Sequence, residues 1–369
     1  MIRRTVPQKT ISKETKLSGV GLHTGEHVNI TFKPAPADTG LVFVREDIKG
    51  DNIINAHIKY ISNTDRGTNL DNGSFRIHTS EHVLAAITGL EIDNCYICLD
   101  GPEVPIMDGS SKFFINALEE AKIVEQNVLR EEFFPSESIT YECEDSGSKI
   151  SIIPDENYKV NTIVDYKTKV LGEQEASINH ISEFKKEISS ARTFSFLHEL
   201  ETLLENGLIK GGDLNNAIVY VDKPLAESNM DILKKAFNKD SISVKANGIL
   251  DNLDLHYPNE AARHKLLDVI GDLALIGMKI RGKVIAEKPG HSINAKFAEK
   301  VSEVIKSDRK NTLPKIDFDK KPLMDSNQIM KVIPHRPPFL LIDEVLEISE
   351  SHVIGLRRVE ENESWVEGH

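Results

Sequence analysis

The side chains best suited to chemistry lie in the segment NEAARHKLLDVIGDL, where His264, Asp268 and Asp272 follow one another at spacings of four residues. Side chains four residues apart share one face of a helix, so His264 and Asp268 could bind one metal ion together. Catalytic zinc sites use three protein ligands and keep a fourth position open. A third ligand must come from elsewhere, and His82, at the start of another helical segment, is the natural candidate. Its neighbour Glu81 would not be a ligand and could take a proton from water at the metal.

A simpler explanation of the pair His264 and Asp268 is a polar contact on the solvated face of an amphipathic helix. The apolar residues of the segment form a stripe of their own, however, which leaves His264, Asp268 and Asp272 on a separate stripe. Three such residues in succession favour a metal site. The spacing by itself does not decide between this site and a solvated helix face.

The elements that must position these residues form two successive series of strands and helices, which predicts the α+β class. Both series run strands, a helix, a strand and a helix, although no repeat is visible by residue identity. Thr79 or Ser80 can cap the helix that carries His82. The predicted strands are 16–19, 27–32, 40–45, 95–99, 138–143, 149–153, 160–166, 216–221 and 281–287. The predicted helices are 82–90, 113–121, 196–205, 259–276 and 292–306.

Composition excludes several classes of protein. The chain has 369 residues and a formal net charge of −13, so it lacks the basic surplus that non-specific nucleic-acid binding requires. No run approaches the ~20 apolar residues of a membrane-spanning helix. The N-terminus has no apolar signal core, which predicts a cytoplasmic location. Three cysteines cannot build a disulfide framework. Cys95 and Cys98 form a C-x-x-C, but the surrounding pattern favours two strand cysteines over a redox pair.

Six short stretches occur in one order along residues 1–305 and together resemble a known family. They are GVGLHTGE, SEHVLAAITGLEIDN, PEVPIMDGS, SSARTFSF, RHKLLDVIGDL and KPGH. In this order they closely resemble the UDP-3-O-acyl-N-acetylglucosamine deacetylases, the zinc enzymes that commit bacteria to lipid A synthesis. The resemblance implies a two-domain layered α/β sandwich and a UDP-linked, acylated glucosamine as substrate.

The resemblance also implies roles for the residues at the matching positions. His82, His264 and Asp268 align with the zinc ligands, and Glu81 aligns with the general base. His291 aligns with a cationic partner that stabilises the oxyanion and can protonate the leaving amine. Two further residues have supporting roles: Asp272 would orient the ring of His291 and raise its pKa, and Thr193 would donate a hydrogen bond to the oxyanion.

Substrate contacts follow from the same resemblance. Lys265 would point off the metal face and neutralise the substrate diphosphate, and Phe194 would pack against the nucleotide or sugar. The family carries an insert, here about residues 195–221, that forms an apolar passage for the acyl chain. The residues expected to line the passage are Leu200, Leu203, Ile209, Ala217 and Val219. Ordinary core packing of these five residues is the alternative. The chain is longer than the usual pattern at 223–257.

The last residues resemble a second family. The order P-H-R-x-P-F-L-L-x-D, N-E and G-H within 325–369 resembles the start of the 3-hydroxyacyl-[acyl-carrier-protein] dehydratases, which have a hot-dog fold. His369 would be the catalytic histidine of an incomplete second site. We expect a truncated fragment of a bifunctional protein whose full-length parent contacts acyl carrier protein. Without the rest of the fold, Phe339, Leu340, Leu341 and Trp365 would lack burial partners. A short tail that serves only as an interaction segment is the alternative.

The sequence as a whole therefore predicts four segments: a first deacetylase domain at 1–125, a second at 126–306, a charged linker at 307–324 and the dehydratase segment at 325–369. The predicted activity is zinc-dependent amide hydrolysis. Two alternatives stay open: a non-catalytic nucleotide-sugar binding protein with a structural metal, and a zinc amidase of another kind, such as a peptidase.

Overall fold

The structure is a computed structural model, and it describes residues 1–199, 216–222, 234, 243–250, 253–311, 316–349 and 352–359. The chain divides into two compact units, Met1–Arg309 and Lys310–His369. In the described part, no helix has the length and apolar character needed to cross a membrane.

The first half of unit 1 is a five-stranded mixed sheet with helices packed on it. The strand order is β2-β3-β9-β4-β5, with β9 antiparallel to β3 and parallel to β4. Two helices accompany this sheet: α1 precedes β9 in the chain and α2 follows it, and α1 packs against α2. The bounds are β2 Thr15–Val20, β3 His27–Pro34, β4 Leu41–Arg45, β5 Ile53–Asn55, β9 Cys95–Leu99, α1 Glu81–Gly89 and α2 Lys112–Glu120. A small sheet lies between β5 and α1 in the chain, formed by β6 Ile61–Asn63, β7 Asn69–Asp71 and β8 Arg76–Ile77.

The second half of unit 1 repeats this topology. Its sheet has the order β11-β12-β18-β13-β14, and β18 is antiparallel to β12 and parallel to β13. The bounds are β11 Ile139–Cys143, β12 Ser148–Ile153, β13 Tyr158–Asp165, β14 Glu173–Ile178, β18 Gly282–Glu287, α3 Phe184–Glu187, α4 Glu260–Leu273 and α5 His291–Asn311. Both halves therefore use one strand order, a repeat of fold that leaves no trace in residue identity. The α+β layered architecture predicted from the sequence is confirmed.

A long strand pair joins the two halves. β1 (Ile2–Ile11) runs antiparallel to β10 (Ile123–Phe133), and β17 (Lys279–Ile280) extends this sheet. The sequence pattern predicts no strand over either β1 or β10. The charges of β10 hid its strand character, because Arg130 and Glu132 are buried and pair with other charged groups. One continuous core of buried residues runs through both halves.

The segment at the start of the predicted acyl passage has a different secondary structure from the one predicted. Phe194–Phe196 is a strand, β15, which pairs in parallel with β16 at Ile218–Tyr220, and helical residues begin only at Leu197. The helix predicted from Phe196 is therefore wrong at its first residue, because pairing with β16 holds Phe196 in an extended conformation. The rest of that helix, with Leu200, Leu203 and Ile209, lies outside the described residues.

Unit 2 contains a small three-stranded sheet of order β19-β20-β21. The bounds are β19 Met324–Asp325, α6 Ser326–Val332, β20 Glu344–Ile348 and β21 Val353–Leu356. Leu340 packs with Ile329 and Val345 in a small core, so the expectation that Leu340 lacks partners is wrong. Phe339 and Leu341 are 76% and 60% exposed, as expected. Trp365 and His369 lie outside the described residues.

Candidate metal centre

Two helices bring the predicted ligands together. α1 places Glu81 and His82 in its first turn, and α4 carries the other two ligands on the face that meets α1. Gly271 of α4 lies against the carbonyl of Glu81, and a Cβ there would come within 2.1 Å of that oxygen. Only glycine permits this close approach of the two helices.

The donor atoms of His82, His264 and Asp268 all lie within 4.8 Å of one another. Asp268 Oδ1 is 3.8 Å from His82 Nε2 and 3.4 Å from His264 Nε2. The other ring nitrogen of His264, Nδ1, hydrogen-bonds the carbonyl of Ala191 at 3.1 Å, which directs Nε2 towards the carboxylate. All three side chains are buried.

The cluster has the chemistry of an open zinc site. Asp268 Oδ1 is buried without a hydrogen-bond partner, an arrangement that a bound cation would satisfy. Burial lowers the pKa of His82 to about 3 and lowers that of His264, so both imidazoles are neutral and can act as ligands. Burial alone would raise the pKa of Asp268, but the cations of Lys265 and His291 hold it well below its usual range. Two neutral imidazoles and one carboxylate fit zinc.

Lys265 lies at the cluster and not off it. Its ammonium donates to Asp268 Oδ2 at 2.9 Å and lies 5.7 Å from the centroid of the Phe194 ring. The prediction that this side chain points off the metal face is therefore wrong, because residues three apart on a helix are also neighbours. Although burial alone would lower the pKa of Lys265, Asp268 raises it, so the ammonium stays charged.

Glu81 stands beside the ligands without joining them. Its Oε2 accepts a hydrogen bond from the backbone N–H of Thr68 at 2.9 Å, and its Oε1 is 4.0 Å from His291 Nε2. Burial raises the pKa of Glu81 to about 7, with His291 opposing that shift. A carboxylate with a pKa near neutrality is suited to accept and return a proton.

His291 and Asp272 form a hydrogen-bonded pair. His291 Nδ1 lies 2.9 Å from Asp272 Oδ2, which directs Nε2 towards Glu81. Burial alone would lower the pKa of His291, but the charge and hydrogen bond of Asp272 raise it to about 9. The imidazole is therefore a cation at neutral pH.

Sequence reasoning missed two residues that hold this pair. Thr68 donates its hydroxyl to Asp272 Oδ1 at 2.5 Å, and Asn294 donates its amide to Asp272 Oδ2 at 2.8 Å. Thr68 thus contacts both Glu81, through its backbone, and Asp272, through its side chain. Asn294 had a usable signal, since it follows His291 by three residues on α5. Thr68 had none, because it reaches the site from the β6–β7 connection.

The hydroxyls of the two residues before α1 do not make the capping hydrogen bonds that were predicted. Ser80 does not cap the helix through its side chain, and its hydroxyl donates to the carbonyl of Thr68 at 2.8 Å. Thr79 donates its hydroxyl to the buried carboxylate of Glu103 at 2.9 Å. The capping prediction is therefore wrong: both hydroxyls instead tie the helix start to neighbouring strands and loops.

Phe194 begins β15 beside the ligand His264, and Thr193 directly precedes it. The ring of Phe194 contacts the imidazole of His264 edge-on, with centroids 6.3 Å apart. The backbone N–H of Thr193 donates to the carbonyl of Gly109 at 2.8 Å, and the partly exposed Thr193 side chain lies next to Gly109. Of the predicted passage residues, the structure describes Ala217 and Val219; Val219 is buried in β16 and Ala217 is half-buried just before it.

The two cysteines of the C-x-x-C lie on β9, as predicted, and both are buried free thiols. Burial raises the pKa of Cys95 to about 12 and that of Cys98 to about 11. Both thiols are therefore protonated at neutral pH, which opposes redox or nucleophilic chemistry.

Comparison with known proteins identifies the family. The family model described as UDP-3-O-acyl N-acetylglycosamine deacetylase matches residues 8–234 and 225–303. The chain belongs to this deacetylase family. A bifunctional enzyme LpxC/FabZ of Bacteroides thetaiotaomicron is 40% identical over 98% of this chain and 78% of the relative. A second bifunctional LpxC/FabZ, from Porphyromonas gingivalis, is 41% identical over the same shares. A UDP-3-O-acyl-N-acetylglucosamine deacetylase of Myxococcus xanthus is 37% identical over 80% of this chain and 86% of the relative.

Proposed function

We propose that this member of the deacetylase family is a zinc-dependent amidase acting on UDP-3-O-(3-hydroxyacyl)-N-acetylglucosamine, the committed step of lipid A biosynthesis. Water would add to the acetamide, the C–N bond would break, and acetate and the free amine would leave. The observation that carries the proposal is the triad itself: His82, His264 and Asp268 converge, with Asp268 Oδ1 buried and unpartnered.

The three ligands would hold zinc and leave one position for substrate and water. Zinc bound there would supply Lewis acidity at the acetamide carbonyl and lower the pKa of the attacking water. The burial of the triad strengthens the electrostatic interactions in the site.

The proton path would run between the two groups beside the triad. Glu81, with a pKa of about 7, would take the proton of the attacking water. His291, a cation up to a pH of about 9, would stabilise the oxyanion and give its proton to the departing amine. Asp272 would keep the ring of His291 oriented, and Thr193 would add a hydrogen bond to the oxyanion. The roles of Glu81, His291 and Asp272 are proposed from their contacts with one another, and that of Thr193 from the family resemblance.

The substrate contacts are proposed from position and charge. The Lys265 ammonium, which stays charged and lies beside Phe194, would exchange part of its contact with Asp268 for the substrate diphosphate. Phe194 would pack against the sugar or nucleotide. Ala217 and Val219, together with Leu200, Leu203 and Ile209 outside the described residues, would line the acyl passage.

The two alternatives make different demands on the site. A structural zinc site is closed by four protein ligands, whereas the described residues offer three around this point. That count supports a catalytic centre over a nucleotide-sugar binding protein with a structural metal. A peptidase would not need a lysine beside the ligands.

We assign residues 325–369 to the start of a dehydratase segment of the hot-dog fold. The motif order supports this, as do relatives that carry LpxC and FabZ in one chain. A catalytic role for His369, a contact with acyl carrier protein, the boundaries at 125, 306 and 324, and a cytoplasmic location stay predictions.

The deciding experiment measures acetate release from UDP-3-O-(3-hydroxyacyl)-N-acetylglucosamine together with the metal content of the same sample. We expect turnover with one zinc per chain, loss of turnover after chelation, and recovery on adding zinc. Parallel additions of iron(II) distinguish the two metals. Turnover that survives complete metal removal would contradict the proposal, and so would a zinc-loaded chain without activity.

A further inference from the structure

The backbone before β15 is bound to α4 by a pair of buried charged side chains. Arg192 is 5% exposed, and Glu260, in the first turn of α4, is fully buried. The Nε of Arg192 donates to Glu260 Oε1 at 2.9 Å, and its Nη2 donates to Oε2 at 3.3 Å. Nothing in the proposed mechanism uses this pair, although Glu260 lies one helical turn before the ligand His264.

One peptide group links the pair to this ligand. The carbonyl of Ala191 and the N–H of Arg192 belong to the same planar peptide, so they point in opposite directions. The N–H donates to Glu260 Oε1 at 3.1 Å, and the carbonyl oxygen lies 3.1 Å from His264 Nδ1. Side chains four residues apart are neighbours on one helix face. The peptide therefore spans two neighbouring side chains of α4, and each of its two polar groups contacts one of them.

The carbonyl of Ala191 determines how His264 can bind a metal. A carbonyl oxygen only accepts, so Nδ1 of His264 carries the ring hydrogen and the lone pair of Nε2 is left for a metal. The same hydrogen bond orients the buried ring. No side-chain substitution removes a main-chain carbonyl. Its direction instead depends on the group that holds the other end of the peptide, which is the carboxylate of Glu260.

The carboxylate of Glu260 is itself held firmly. It accepts three hydrogen bonds from Arg192, through the backbone N–H, Nε and Nη2, and one from the backbone N–H of His256 at 2.6 Å. Arg192 Nη2 also donates to the carbonyl of Asp254 at 2.5 Å. A planar guanidinium on a carboxylate fixes direction as well as distance, whereas an ammonium acts as a point charge. The contact therefore fixes the carboxylate that holds the peptide.

We propose that Arg192 and Glu260 are positioning residues for the ligand His264, which they orient through the Ala191–Arg192 peptide. The inference rests on the proposed function, because it requires that His264 binds the metal. Outer partners of metal ligands typically change metal affinity by 10- to 100-fold when they are substituted. A pair that served stability alone would lower the free energy of unfolding when altered and would leave the metal affinity of the folded chain unchanged.

The test measures metal binding and unfolding of the full chain in two variants. Arg192→Lys keeps the charge opposite Glu260 but lacks the planar fork, and Glu260→Gln keeps the shape of the side chain but lacks its charge. Arg130→Lys is the matched control, because Arg130 is also buried and its ion pairs, with Asp93 and Glu132 among others, include no described residue of α4.

Three measurements separate positioning from stability. Competition with a chelating dye gives the zinc dissociation constant of each metal-free variant. The visible spectrum of the cobalt(II)-loaded chain reports ligand geometry, which zinc, as a closed-shell ion, does not reveal. Circular dichroism in urea gives the folded fraction and the unfolding midpoint.

We expect the zinc dissociation constant to rise at least about tenfold in Arg192→Lys and in Glu260→Gln and to stay at the wild-type value in Arg130→Lys. The cobalt absorption bands should shift in the first two variants alone, although the urea midpoint falls in all three. If one of the two test variants does not fold, the other decides.

Wild-type zinc affinity and a wild-type cobalt spectrum in the folded test variants would overturn the inference and leave the proposed function intact. An equal loss of zinc affinity in Arg130→Lys would overturn it too, because the effect would then follow from destabilisation. A wild-type chain that binds no zinc would overturn both the inference and the proposed function.

Discussion

Two charged clusters of unit 1 differ in how their charges are satisfied: the metal centre, and the Arg130 network, which is formed by Arg130, Arg281, Glu91, Asp93 and Glu132. In the Arg130 network each acidic residue contacts an arginine, and the two arginines share partners. In the metal centre, two neutral imidazoles surround a carboxylate whose Oδ1 has no partner. The acidic residues of the first cluster all contact an arginine within it, whereas Asp268 Oδ1 in the second would gain a partner from a bound cation.

The difference indicates which cluster serves stability and which serves function. A network of ion pairs that satisfy one another links separate elements of the fold. Removing one member leaves an uncompensated charge and destabilises the protein. A cluster left unsatisfied is retained in spite of its effect on the free energy of folding. Substitutions should therefore separate the two: changes at the metal centre should reduce turnover with little effect on unfolding, and changes in the network should do the reverse.

The largest effect is expected for Glu81→Gln, which removes the proposed base and leaves the three ligands in place. The value of kcat should fall ~10²–10⁴-fold, the usual contribution of general-base catalysis. Zinc content by mass spectrometry and the thermal midpoint should stay as in the wild type. Glu120→Gln, at the exposed end of α2, is the control. Loss of zinc from Glu81→Gln would show that Glu81 is a ligand.

Arg130→Met should act in the opposite way. It leaves the buried Glu132 and the half-buried Asp93 and Glu91 with one arginine fewer. Breaking a buried pair typically costs ~3–5 kcal/mol of unfolding free energy. Urea unfolding monitored by circular dichroism measures this, with the exposed Arg4→Met as the control. Zinc affinity and kcat of the folded fraction should be unchanged. A normal unfolding free energy with impaired turnover would show that Arg130 serves function and not stability.

The pH dependence of turnover tests His291. Because Asp272 raises the pKa of His291 to about 9, the imidazolium is present below that pH and is lost as pH rises through it. The rate should therefore fall on the alkaline side near pH 9, and on the acidic side as Glu81 gains its proton. His291→Ala should lower kcat by about 10²-fold, keep zinc and abolish the alkaline limb. An alkaline limb that persists in His291→Ala would assign that limb to another group.

Lys265→Ala should raise KM more than it lowers kcat, since a diphosphate contact is present in both the ground state and the transition state. A charge-assisted contact of this kind is worth ~1.5–3 kcal/mol, or roughly 10- to 100-fold in KM. Steady-state kinetics against substrate concentration provides the measurement. An unchanged KM with a reduced kcat would instead indicate that Lys265 acts on the metal site through Asp268 and does not bind the diphosphate.

The smallest effect is expected for Thr68→Val, which removes the hydroxyl that contacts Asp272 and keeps the backbone N–H on Glu81. One hydrogen bond of ~1 kcal/mol corresponds to about a fivefold fall in kcat. The alkaline pKa of the rate profile should shift as well, because Asp272 would hold His291 less firmly. Thr68→Ser, which keeps the hydroxyl, should restore both values. A fall in thermal stability alone, with normal kinetics, would make Thr68 purely structural.

The sequence by itself determined which residues of α4 share a face, because helical periodicity is local and needs no other part of the chain. It determined the strand and helix character of most of unit 1 for the same reason. The spacing also contained the contact of Lys265 with Asp268, three residues away, although the prediction overlooked it. Family motifs supplied the pairing of His82 with His264, which periodicity alone left open.

Tertiary structure decided the remainder. Thr68 reaches Asp272 across 204 residues of chain, and no local pattern encodes such a contact. The charged strand β10 was not predicted, because its buried charges also need partners on other elements, such as Asp93 and Arg281. The repeated strand order of the two halves is equally invisible, since a topology depends on how strands pair and not on which residues they contain. Local periodicity fixes the direction of a side chain, and only packing fixes what that side chain meets.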